Sequence, residues 1–247
     1  MINQVRFSKS VRFFEQDFCK RWNTTTYKDE NEPCLFAGCY RQDDVDVINN
    51  HKGFKLVWNN GRVRSIFTNL NPDNLVVLKY TDCIDHSSLE GKYKMKQARF
   101  EIKDYSLFQP NKLGDCICVY LGNESGKYIM GYDEVEKLRK LTKRKILVSM
   151  LGRTRPQLKA EIYDKCFIYF RPIIVGGIET SIELALMGRK TLSNSKGEGH
   201  VPYSDLEDAC RLIEEEAKWI GKERGSVLME NYFDTGEEWK QVKFWQS

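Results

Sequence analysis

Short apolar runs with scarcely a polar residue recur along this 247-residue chain, and stretches of helical spacing separate them. The fullest case is Cys166 to Asn194, CFIYFRPIIVGGIETSIELALMGRKTLSN. It reads as an apolar strand, a turn carrying Pro172 and Gly176-Gly177, an amphipathic helix, a stop at Gly188 and a second strand. Strands separated by helices of about ten residues imply βαβ units and a parallel sheet. Strands that are apolar from end to end fit a sheet covered on both faces.

The same pattern runs through most of the chain. Cys34–Tyr40 (CLFAGCY), Phe54–Trp58 (FKLVW) and Asn74–Tyr80 (NLVVLKY) read as strands, and Gln97–Ile102 as a further strand or extended piece. Asp43 opens a helix with good cap residues, and His51 before Lys52-Gly53 reads as its end. Residues 22–33 are polar and turn-rich, hence a loop. Pro110, Asn111 and Gly114 mark residues 104–114 as a linker. After it the pattern restarts, with strands over 115–121, 145–151, 166–170 and 189–193 and helices over 131–143, 156–164 and 178–187. Residues 204–232 read as helix, broken near Gly225, and no internal repeat is visible. Two such series suggest two small Rossmann-like halves.

Bulk composition narrows the function. Apolar residues are 41% of the chain, enough for a real core, and the 30% that are charged are well mixed in sign. A net charge of +4 does not imply nucleic acid as a partner. The cluster of Lys137, Arg139, Lys140, Lys143, Arg144 and Lys145 reads as a solvated helix face. The eight cysteines form no CxxC pair, so free thiols in a reducing compartment are expected. The three histidines, His51, His86 and His200, lack zinc-ligand spacing. With no signal-like N-terminus and no run of roughly 20 apolar residues, a cytoplasmic chain without a transmembrane segment is expected.

Ligands of open parallel sheets bind beyond the carboxyl ends of the strands. The loops there are Gly122–Gly126, Gly152–Arg155 and Arg171–Gly177, all rich in Gly or Arg. Backbone N–H groups and guanidinium groups suit a diphosphate. Neither GxGxxG nor GxxxxGK[ST] occurs.

One ordered set of residues goes further: Leu151-Gly152, Leu158, Tyr163, Phe167 to Pro172, Gly176-Gly177, Glu183-Leu184-Ala185-Leu186-Met187-Gly188, then Arg189 to Leu192. This series resembles the donor-binding half of GT-B glycosyltransferases. The resemblance implies an α/β chain of two small Rossmann-like domains facing a cleft. Residues 1–112 would form the acceptor side and 113–230 the nucleotide-sugar domain. The aromatic tail 231–247 would pack back on the N-terminal domain. Glu183 would accept from the ribose hydroxyls. Gly177, Ile178, Thr180 and Ser181 would lie at the diphosphate and sugar, with Gly176 and Glu179 also in the donor site. Arg153, Arg155, Arg171 and Lys127 would neutralise the leaving diphosphate.

Val175 stands where retaining members often carry a second glutamate. An inverting reaction needs a general base, and Asp44 and His86, at strand ends of the first half, are its candidates. Asp44 also fits a plain helix-cap role, and a lone histidine a structural one. Asp44-Val45-Asp46 lies in a helix pattern rather than on a strand-end loop, so metal-independent transfer with no cofactor is expected. The implied activity is a hexosyl- or pentosyltransferase, moving sugar from a UDP- or GDP-sugar to a glycan or glycoconjugate acceptor. A non-catalytic nucleotide- or glycan-binding protein on the same fold is the alternative. A methyltransferase ranks last, because AGCYRQDD (37–44) is a poor glycine-rich loop.

Overall fold

The computed structural model describes residues 2–58, 65–79, 87–97, 101–172, 178–194 and 199–228. His86, Val175, Gly176, Gly177 and the tail 231–247 therefore lie outside the described residues. The chain divides into two compact units between Asp104 and Tyr105.

The first unit contains β1 (Gln4–Phe7), α1 (Glu15–Trp22), β2 (Thr25–Thr26), β3 (Cys34–Ala37), α2 (Gln42–Asn50), β4 (Lys55–Trp58), β5 (Leu75–Lys79) and β6 (Lys94–Gln97). Among the described residues these strands form one parallel sheet, ordered β2-β1-β3-β4-β5-β6. Every residue of β3 and β4 is buried, as a sheet covered on both faces requires. Val45 and Ile48 of α2 pack on Phe36, Val57 and Val77. On the other face Phe18 of α1 meets Phe7 edge-on at 5.6 Å, and Phe7 meets Trp58 at 6.2 Å.

The second unit contains β7 (Cys116–Tyr120), α3 (Tyr132–Leu141), β8 (Ile146–Ser149), α4 (Arg155–Glu161), β9 (Cys166–Phe170), α5 (Ile178–Leu186), β10 (Lys190–Leu192), β11 (His200–Val201) and α6 (Leu206–Glu216). Its strands are again parallel, ordered β11-β10-β9-β7-β8. Each unit thus lays its second strand on one side of the first, then crosses to the other side for its third. Both are open, doubly wound α/β sheets. In dinucleotide-binding Rossmann sheets a third strand lies beyond the second before the chain crosses over; here the crossover is immediate. Right-handed crossovers in opposite directions put successive helices on opposite faces. Val135 and Leu138 of α3 accordingly share one aliphatic cluster with Ala209 and Ile213 of α6, over Ile117, Val119, Phe167 and Phe170. Truncating either phenylalanine to alanine there costs about 3–5 kcal/mol.

The junction falls earlier than the turn residues Pro110 and Gly114 suggest. Tyr105 and Phe108 are buried in the second unit, with Phe108 6.1 Å from Tyr163. Arg189, fully buried, binds the Asn111 side chain and donates to the Lys112 carbonyl at 2.8 Å. Residues 105–112 therefore belong to the second unit.

Helix α6 also ends early. Gly221 takes a φ of +77°, and its N–H donates to Leu113 at 2.8 Å while Leu113 donates to Lys222 at 2.9 Å. This backbone pairing turns the chain out of the helix expected to run on past residue 220. Gly188 ends α5 with a φ of +87°, and a Cβ there would lie 2.4 Å from the Arg224 carbonyl oxygen, so only glycine fits.

His51 closes α2 as its C-cap. The ring is buried, edge-on to Phe36 at 5.2 Å, with Nδ1 3.3 Å from the Tyr27 hydroxyl. Burial, then the Lys55 charge, hold its pKa below the ordinary 6.5. The unfolded chain therefore binds this proton more readily, so stability is full above the unfolded value and is lost as pH falls through the folded one. His51→Gln is expected to flatten the slope of urea stability between about pH 5 and 7; an unchanged slope rules this origin out.

Candidate functional site

Strand β7 has two unlike faces. Ile117 and Val119 join the aliphatic cluster under α3 and α6. By the period of two, Cys116, Cys118 and Tyr120 point to the face covered by α4 and α5. Tyr169 of β9 lies within electrostatic reach of Arg171, Cys118, Tyr120 and Glu183 on this side. Ser149, the last residue of β8, is the register partner of Tyr120. Its hydroxyl is 1% exposed and has no hydrogen-bond partner among the described residues. A buried hydroxyl in that state costs roughly 1–3 kcal/mol. At the carboxyl end of a strand, such an atom is of the kind a bound polar group satisfies.

Glu183, in the second turn of α5, is fully buried on this face. Arg155, the first residue of α4, places Nη1 2.6 Å from Glu183 Oε1. The Tyr163 hydroxyl donates to Oε2 at 2.8 Å. Thr180 lies within hydrogen-bonding reach of Tyr163. Burial, then the Glu183 charge, push the Tyr163 pKa well above 10, so it serves as a donor throughout the neutral range. Burial acts to lower the Arg155 pKa, but Glu183, Tyr163, Glu179 and Tyr105 together raise it beyond its ordinary value. One turn before Glu183, Glu179 accepts from the Tyr105 hydroxyl.

The structure brings some expected residues together and separates others. Arg155, Glu179 and Glu183 come together, with Thr180 beside Tyr163; Thr180 and Ser181 are buried, but Ser181 lies two residues from both Glu179 and Glu183 and so on another side of α5. Arg171 follows β9 and is buried beside Tyr169, with its N–H on the Leu192 carbonyl at 2.9 Å. Arg153 instead pairs on the surface with Glu161 at 2.9 Å. Lys127 is held in its own loop by Glu124 at 2.9 Å and lies 4.8 Å from the Tyr132 ring. The sequence pattern does not single out Tyr105, Tyr120 or Ser149 as site residues, and it includes Tyr163 only as part of a series.

Asp44 belongs to the first unit, where the chain reverses between the carboxyl ends of β1 and β3. It is not the cap of α2 but its third residue. Its Oδ2 accepts from the Ser8 hydroxyl at 2.8 Å and from the N–H groups of Tyr40 and Arg41 at 3.0 and 3.1 Å. All three donors converge on one oxygen, and Oδ1 accepts no bond among the described residues. The bracket requires Gly38: its φ is +88°, and a Cβ would approach Tyr40 Cε2 to 2.4 Å.

Removing one partner of a buried ion pair typically costs about 3–5 kcal/mol. Arg155 is 32% exposed and can turn to water, so Glu183→Ala is expected near the lower end, about 3 kcal/mol by urea unfolding. Tyr163→Phe should cost about 1.5–3 kcal/mol through its lost bond to a charged acceptor. Losses under about 0.5 kcal/mol in both variants would mean that the cluster holds nothing together.

No protein-family model matches the chain, and no curated protein matches it.

Proposed function

We propose that the chain is a glycosyltransferase that moves a sugar from a nucleotide-diphosphate sugar to a saccharide or glycoconjugate, with the donor bound by the second unit. The observation that carries this reading is the contact of Arg155 with Glu183 on one polar face of a doubly wound sheet. A guanidinium suits the diphosphate. A carboxylate suits the vicinal hydroxyls of a ribose. Buried Thr180, within hydrogen-bonding reach of Tyr163, adds a neutral donor there, and the orphaned Ser149 hydroxyl lies at the end of the neighbouring strand β8.

In this reading Arg155 and Arg171 oppose the charge that develops on the departing diphosphate. Positioned cations of this kind act strongly where water is excluded. Asp44 is the candidate base for the acceptor hydroxyl: three donors fix its Oδ2 and leave Oδ1 to accept a proton. The transfer is proposed to run without a metal ion.

One observation favours a second reading. Glu183 is fully buried and both its oxygens are engaged, which fits a protein that binds a nucleotide without turning it over.

Thermal unfolding with a panel of UDP- and GDP-sugars in EDTA tests the first reading. A productive donor at a hundredfold excess over its Kd should stabilise the fold by about 2.7 kcal/mol, and free sugar should accumulate slowly by hydrolysis. Stabilisation without any hydrolysis selects the binding protein. A panel with no stabilisation at all ends both readings.

A further inference from the structure

We propose that Arg155 is a specificity-determining latch: it occupies Glu183 until an anionic group draws it away, so that only a ligand carrying both an anion and hydroxyls fits the site. The latch rests on the reading of Glu183 as the hydroxyl acceptor.

The three partners differ in their freedom to move. Glu183 is fully buried, and its Oε2 partner Tyr163 is fully buried as well. Arg155, on Oε1, is 32% exposed and reaches solvent. On the segments after β7 and β8, Lys127 pairs instead with Glu124 and Arg153 with Glu161. Of Arg155, Lys127 and Arg153, only Arg155 links the segment after β8 to a carboxylate on α5.

A guanidinium binds phosphate through two parallel N–H donors, at least as well as it binds a carboxylate. An arriving phosphate therefore competes directly with Glu183 for Arg155. When it wins, Oε1 loses the Arg155 cation and has room to accept from a new donor. A sugar hydroxyl supplies one. The exchange is balanced only when both groups arrive on one ligand. A nucleoside by itself must break the ion pair. A free diphosphate by itself strips a buried carboxylate of its Arg155 countercharge, which is costly. Each lone fragment thus binds weakly, and each assists the other.

The test is calorimetry on the wild-type chain of 247 residues. UDP, GDP, ADP and CDP are titrated first, then the matching nucleosides with and without inorganic pyrophosphate. The expected result is that pyrophosphate tightens nucleoside binding roughly fivefold or more. Arg155→Met should weaken the diphosphate at least about tenfold, hold or improve nucleoside affinity, and abolish the coupling. If a nucleoside diphosphate binds but pyrophosphate leaves nucleoside affinity unchanged, the latch is wrong and the donor-site reading survives. If none of the four diphosphates binds, the donor-site reading falls and takes the latch with it. The coupling is measured on the wild type, so the test stays decisive even if the variant fails to fold.

Discussion

A carboxylate with no exposed surface sets the terms for the second unit. Burying the charge of Glu183 is unfavourable unless other groups supply countercharge and hydrogen bonds. The chain answers with Arg155 from α4 and Tyr163 from the short turn before β9. These three residues come from α4, the turn and α5, so one charge fixes how those segments lie on the sheet. The hydroxyls of Tyr120 and Tyr169 lie within reach of the same charge. A face that must host an ion is better lined with polarisable and hydrogen-bonding groups than with aliphatic ones.

The topology explains why such a face sits where a ligand would find it. In both units the chain reverses direction across the sheet between its first and third strands. In open sheets of this kind the loops on either side of such a reversal diverge at the carboxyl ends. In the first unit Ser8, Gly38 and Asp44 sit at that reversal; in the second the reversal falls between β7 and β9. The shared strand order is a likeness of architecture that has no counterpart in residue identity, which is why no repeat is visible in the sequence.

Most of the second unit is legible from residue patterns. The strands β7, β8, β9 and β10 and the helices α3, α4 and α5 follow their apolar runs and cap signals within a few residues. In the first unit β1 escapes such a reading, although strands pair with it on both sides, because Gln4 and Arg6 break its apolar run. Its burial depends on distant partners: the Gln4 amide donates to the carbonyls of Asp29 and Glu32 and accepts from the N–H groups of Lys28 and Asp29. No local window contains that information. For the cluster around Glu183, the resemblance of the residue series puts Glu183 and Arg155 forward as ligand contacts, whereas their engagement with each other is a tertiary fact that no residue pattern contains. The clue that the sequence does hold is the alternation Cys116, Cys118, Tyr120 against Ile117, Val119, which separates a polar face from an aliphatic one within a single strand.

That alternation has a consequence for how the protein can change over generations. On the aliphatic side of β7, swaps between residues of similar volume disturb little, at less than about 1.5 kcal/mol each. On the other side shape is not enough, because Tyr120 also answers to Arg155 and the buried charge of Glu183. A mutational scan along this one strand would beat with a period of two: permissive, restrictive, permissive. The rhythm that folds the strand would thus also set the pace at which its two faces drift.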